Sequence, residues 1–177
     1  MKNILILLSF FVSFSAAAQT SYKVTMSGIG PFKINMKSGE VEKLTGSKLA
    51  FNNLLKEEWT FDTINISYNG LPLMLVFDKQ YDEKNNSQFT LREVASNSVS
   101  VATPSGITIG DDKLKIINTY TQYTIWIVPA YVNDYKERST TNADIMVFGD
   151  ETGNLIVFHL YMNKVASIGV TYNEGYD

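Results

Sequence analysis

The residues able to do chemistry in this chain are few. Among 177 residues there is no cysteine and one histidine, so a thiol nucleophile, a disulfide and a Cys/His zinc cluster are all closed to it. His159 stands between Phe158 and Leu160 in a run that reads as a sheet strand. A histidine there is expected to be held by a hydrogen bond within the sheet rather than to serve as a base. A Ser–His–Asp site would need it beside an activated serine, and no Gly-x-Ser-x-Gly elbow is present. Asp111-Asp112 and Asp150-Glu151 are adjacent carboxylates with the chemistry for acid–base work on a glycan. The first pair sits where a helix cap is expected and the second in a turn, which explains both without catalysis. Gly149-Asp-Glu-Thr-Gly-Asn154 lacks the ligand spacing of a calcium loop. The expectation is a non-enzyme with no catalytic residue, no metal and no cofactor.

Binding chemistry is better supplied. Tyr120, Tyr123, Trp126, Tyr131 and Tyr135 crowd one stretch, and tyrosine and tryptophan give large, rigid contact area with a polar tip. Tyr120 is expected in the core. Trp126, Tyr131, Tyr135 and Tyr123 are the candidate binding residues, joined by Tyr161 and Tyr172 from outward sheet positions that also include Asn65, Ser67, Asn163 and Thr171.

These residues must be positioned by an exported chain. Lys2, the apolar run Ile4 to Phe14 and Ala16-Ala17-Ala18 ahead of Gln19 read as a secretory signal peptide over 1–18, too short for a stable membrane anchor. Without cysteine there is no lipoprotein attachment, so a soluble periplasmic or secreted protein is expected. Losing Lys2 from 15 basic residues leaves 14 against 18 acidic ones, a balance that disfavours nucleic acid and anionic membrane as partners.

The elements recur along the chain. Pro31 to Gly46 and Gly106 to Tyr120 each run from a β-type segment into a polar cap and a short helix, with Ile34 matching Ile109 and Val41 matching Ile116, 75 residues apart in both cases. Ser38 is the expected N-cap of the first helix, with Gly46 ending it, and Asp111 or Asp112 caps the second. A further helix is expected from Ser47, with Phe51, Leu54, Leu55 and Trp59 as its apolar stripe. From Thr60 the period becomes two, and Asn69-Gly70 is a strong hairpin signal. Asp78 to Gln88 reads as a surface loop. Leu155 to Phe158 answers Leu73 to Phe77, pairing Phe77 with Phe158, and Val165 answers Val94. Pro129 and the β-branched residues of 121–138 oppose a helix there. The organisation expected is two repeats, 19–104 and 105–177, sharing one domain.

Gly106-Ile-Thr-Ile-Gly-Asp followed by a helix ending in Tyr120, then a hairpin and a strand with Lys164-Val-Ala-Ser-Ile168, resembles the tandem-repeat β-lactamase-inhibitor-protein-like superfamily; the small outer-membrane assembly lipoproteins are similar single-repeat relatives. The resemblance spans most of residues 28 to 174. It implies an α+β fold in which two tandem helix(-loop-helix) plus strand repeats build one concave antiparallel sheet with helices on the other face. The absent helix at 121–138 and the absent disulfides depart from that pattern. The function it implies is a non-catalytic binder of another protein, an inhibitor or immunity-type factor that sequesters a secreted or periplasmic enzyme or toxin. An envelope-assembly scaffold and a carboxylate-dependent glycan or cell-wall hydrolase stand as alternatives.

Overall fold

A computed structural model describes residues 22–52, 60–81, 87–132, 136–149 and 153–172. The expected signal peptide, the stripe residues Leu54, Leu55 and Trp59, the candidate Tyr135 and the pair Asp150-Glu151 lie outside the described residues.

Three short strands open the fold: β1 (Tyr22–Thr25), β2 (Gly28–Ile29) and β3 (Phe32–Lys33). Helix α1 (Ser38–Thr45) follows, and then the long strands β4 (Phe61–Tyr68), β5 (Leu71–Tyr81) and β6 (Ser87–Ser96). The second half runs β7 (Val101–Ala102), α2 (Lys113–Thr119), β8 (Ile125–Val132), β9 (Glu137–Phe148), β10 (Asn154–Tyr161) and β11 (Lys164–Tyr172). The long strands form one seven-stranded antiparallel sheet in the order β4-β5-β6-β11-β10-β9-β8, and the short ones a second sheet, β3-β2-β1-β7. In the small sheet β1 runs parallel to β7, which ties the start of the described chain to the start of its second half.

Strand makes up 59% of the described structure and helix 11%, which overturns the expectation of an α+β protein built from helix(-loop-helix) repeats. The fold is mostly β with two short helices. The physical reason is the period of the apolar residues: Leu71, Leu73, Leu75 and Phe77 are buried at every second position, as are Ala143, Ile145 and Val147. Only Val41 of α1 and Ile116 of α2 are fully buried helical residues. The helix expected from Ser47 does not form over the described residues 47–52. Gly46 ends α1 in the left-handed region at φ 70°, and the Glu42 carboxylate then folds the chain back by accepting from Leu49 N at 3.0 Å and Lys48 Nζ at 2.7 Å. Phe51 enters the core as an inserted wedge, edge-on to Phe77 at 5.3 Å and tilted against Phe89 at 4.7 Å. The N-cap of α1 is Lys37, whose N–H donates to Glu40 at 2.8 Å, and Ser38 is its first helical residue.

The apolar face of the large sheet packs against the small sheet and the two helices, in one cluster holding Val24, Ile29, Phe32, Val41, Val101, Ile116, Phe158 and Ile168. Asn69 and Gly70, at φ 50° and 80°, close the expected hairpin between β4 and β5. The segment 78–88 is not a loop throughout, because β5 continues to Tyr81 and β6 begins at Ser87.

The same devices recur in both halves. Asn35 N donates to Leu91 O and Leu91 N to Met36 O, each at 2.8 Å; Gly110 N donates to Val165 O at 2.8 Å and Val165 N to Asp111 O at 2.9 Å. Asn35 and Gly110, at φ 69° and 90°, make the same left-handed bend before their helices. A bulge interrupts β5 between Val76 and Phe77 against β6, and β10 between His159 and Leu160 against β11. By these bonds Phe77 corresponds to Leu160 and Leu91 to Val165, not Phe77 to Phe158 and Val94 to Val165 as residue likeness alone pairs them. Under that correspondence Ala95 and Gly169, paired across the β6–β11 seam, occupy equivalent places.

Candidate functional site

The face of the large sheet turned away from the core carries three cross-strand rows. The middle row crosses all seven strands as Asn65, Met74, Ala95, Gly169, Val157, Met146 and Trp126. Directly opposite residues in a ladder present their side chains to one face, so the row is bulky at its ends and bare at Ala95 and Gly169. One flanking row places Glu93 beside Thr171 and Leu155; the other places Ser167, His159, Asp144 and Val128 in line.

Glu93 and His159 converge on the bare centre. A Cβ built at Gly169 would lie 3.5 Å from Glu93 Oε1, an ordinary contact distance, so the carboxyl lies directly beside the glycine. The groove there encloses about 190 Å³ and is lined by Arg92, Glu93, Asp144, Met146, Leu155, Val157, His159, Thr171 and Tyr172. A larger hollow of about 420 Å³ between Asn65, Pro72, Met74, Ala95, Asn97 and Ser167 has no ionisable side chain in its lining, so the chemistry of this face is in the smaller one.

His159 Nδ1 is 2.7 Å from Asp144 Oδ1, with the two side chains 38% and 42% exposed. Burial works against the imidazolium, but the Asp144 hydrogen bond and the charges of Asp144 and Glu93 outweigh it and raise the pKa above the ordinary histidine value. Burial also raises the Glu93 carboxyl; the positive charges of His159 and Arg92 oppose that rise and Asp144 adds to it. Arg92 is engaged on its other side, 3.5 Å from Asp78 and with its guanidinium 5.5 Å from the centre of the Tyr172 ring. The Tyr172 hydroxyl donates to the buried Asp78. Asp144 therefore orients one imidazole nitrogen and leaves Nε2 for exchange with solvent or ligand. A positioned imidazole is present, but among the described residues no hydroxyl of the groove is bonded to it: Tyr172 donates to the Asp78 carboxylate and Thr171 to the Tyr172 carbonyl.

The sequence candidates are dispersed. Trp126 lies on the groove side next to Met146 and packs on Phe148 at 4.9 Å. Tyr131 lies farther along β8 under the Arg138 guanidinium at 5.8 Å. Tyr123 belongs to the helix side, stacked edge-on against the buried Tyr120 at 5.6 Å. Tyr161 is exposed at the end of β10 beside the Met162-Asn163 turn. Tyr172 is locked to Asp78 and Arg92. The expected placing of His159 in a strand and of Tyr120 in the core agrees with the structure. Sequence reasoning missed Glu93, Asp144, Arg92 and Asp78. The available signal was their phase: Glu93 and Asp144 each adjoin a buried apolar residue, Val94 and Ala143, on the opposite phase of a central strand.

Asp112 is the N-cap of α2 by backbone geometry, and its carboxylate meets Lys164 at 3.2 Å while Asp111 meets Lys115 at 2.8 Å. Both carboxylates of that pair are engaged by lysines. Among the described residues no group of three His, Asp or Glu side chains is placed to hold a metal, and no helix is long and apolar enough to cross a membrane. Comparison with protein-family models, with curated proteins and with solved structures gives no match for this chain.

Proposed function

We propose that this chain is an exported, non-catalytic protein-binding module that sequesters a secreted or periplasmic enzyme or toxin. The observation that carries the reading is strand β8. It is an edge strand of eight residues, Ile-Trp-Ile-Val-Pro-Ala-Tyr-Val, without one charge. Edge strands are ordinarily blunted by charge, shortness or a covering element, because their open backbone recruits other strands. Here Trp126, Ile127, Val128 and Tyr131 are 38%, 40%, 44% and 51% exposed. Trp126 and Val128 lie on the groove face, while Ile127 lies opposite the buried Ile145 on the other. Apolar surface on both faces of an edge that pairs with one strand only among the described residues suits a partner segment added alongside. The recurrence of bends and bulges in the two halves supports a two-copy binding scaffold.

Affinity capture by the exported chain from native envelope and culture-supernatant fractions tests the reading. One stoichiometric partner, lost on Trp126→Ala with Tyr131→Ala in a variant of unchanged far-UV spectrum, is the expected result. Capture unaffected by those changes and by Val128→Lys would exclude β8 as the binding edge.

A further inference from the structure

Burial of a carboxyl without a partner costs stability, and proteins satisfy nearly all such groups. Glu93 is half-buried, and among the described residues its carboxylate accepts no hydrogen bond and forms no ion pair, while burial raises its pKa. The groups facing it are Arg92 on its own strand, His159 on β10 and Asp144 on β9, with Asp78 and Tyr172 behind Arg92. Both cations face a second carboxylate: Arg92 meets Asp78 and His159 meets Asp144. Among the described residues Asp78 and Asp144 each meet one of these cations directly, and Glu93 meets neither within ion-pair distance. The walls next to it, Val157, Leu155 and Met146, are apolar, a lining that suits methylene groups behind a charged head.

We propose that the groove over Gly169 receives one ammonium or guanidinium group on an aliphatic stem, a lysine or arginine side chain of the bound protein, with the Glu93 carboxylate as its acceptor. This rests on the protein-binding reading above, to which the groove is joined through Met146 and Trp126, neighbours across β9 and β8. An anionic group would instead meet the Glu93 and Asp144 carboxylates of the lining. Protonation of His159 or Glu93 places positive charge, or removes negative charge, where the cation must sit. Binding therefore expels protons and tightens as pH rises.

The test is nuclear magnetic resonance titration of the exported chain with Nα-acetyl-arginine amide and Nα-acetyl-lysine amide, against the uncharged Nα-acetyl-norleucine amide. Saturable shifts at Glu93, His159 and Gly169 are expected with the two cations only. They should be about tenfold tighter near pH 8 than near pH 5, across the range in which histidine changes charge, and abolished by Glu93→Gln. Gly169→Ala, which moves a methyl group to within 3.5 Å of Glu93 Oε1, should weaken them with the carboxylate retained. Equal shifts with norleucine amide, binding that survives Glu93→Gln, or tightening toward acid would each overturn the proposal. Probe binding together with partner capture untouched by Glu93→Gln would assign the groove to a free amine and overturn the side-chain source. Loss of capture on changing Glu93 but not β8 would uphold the groove and remove the β8 edge from the reading.

Discussion

Glu93 and His159 set opposite demands on the same few ångströms of sheet, and each demand has a sign. Both pKa values are raised in the folded chain, so the folded state holds protons more tightly than the unfolded one and loses stability as pH rises through the raised values. For Glu93 the loss begins above the ordinary glutamate value of about 4.3. Glu93→Gln should accordingly raise the melting temperature near neutral pH, with the gain fading in acid as the wild-type carboxyl takes its proton. Thermal melts at a series of pH values check it, and an equal gain at every pH would sink it. Asp144→Asn removes the negative charge that holds the His159 proton, and the imidazole pKa read from its carbon-bound proton signals should fall. Met162 is a different residue-scale matter. It is exposed, at φ 52° in the β10–β11 turn, with Asn163 at φ 61°. The left-handed region costs an ordinary side chain about 1–2 kcal/mol and asparagine less, so Met162→Asn should stabilise by roughly 0.5–1 kcal/mol in denaturant titration. The backbone N–H that Met162 gives to Asn142 Oδ1 at 2.9 Å is kept by that change.

Elements differed in how plainly their sequence announced them. Asn69-Gly70 between alternating residues names its hairpin, whereas Tyr161-Met162-Asn163-Lys164 makes the same kind of two-residue turn without glycine. Val41 and Leu44 followed by a C-terminal glycine mark α1 correctly. The apolar spacing that begins at Phe51 runs on beyond the described residues, and at 47–52 the side-chain bonds of Glu42 and the packing of Phe51 set the chain path. Tertiary contacts outrank local period in such short segments. The β-branched run and Pro129 spoke against a helix at β8, but not for its place at the sheet edge, because strand order is decided by pairings between distant segments. That place makes a prediction about the element. Val128→Lys adds the charge that edges usually carry, and at a side chain 44% exposed it should change stability by less than about 0.5 kcal/mol. Sedimentation at high concentration should show less self-association than the wild type, while the melting temperature stays within about 2 °C.

Across the whole molecule the two halves meet at a seam that is unusually bare. The ladder of β6 with β11 runs Glu93–Thr171, Val94–Val170, Ala95–Gly169 and Ser96–Ile168, and among the described residues only this pairing joins the strand sets β4–β6 and β8–β11 within the large sheet. The small sheet supplies a second tie, since β1 pairs with β7, and the buried residues of both halves belong to one cluster. A seam held by shared core should not separate on heating. The sequence recurrence at 75 residues hinted at two similar halves, yet the residue-by-residue match was misplaced near the seam, where bulges shift the register and Val94 resembles Val165 by type alone. Gly169→Val tests the joint directly. Its Cβ would sit 3.3 Å from Ala95 Cβ and 3.5 Å from Glu93 Oε1, and overpacking of this kind costs about 1–3 kcal/mol. In a Trp59→Phe background, Trp126 fluorescence reports the second half at the far edge of the sheet, and far-UV circular dichroism reports all strands. Both transitions should move down together and remain coincident, the mark of one cooperative unit. If Trp126 kept its wild-type midpoint while the dichroism split into two steps, the halves would be independent folding units that merely touch at Ala95 and Gly169.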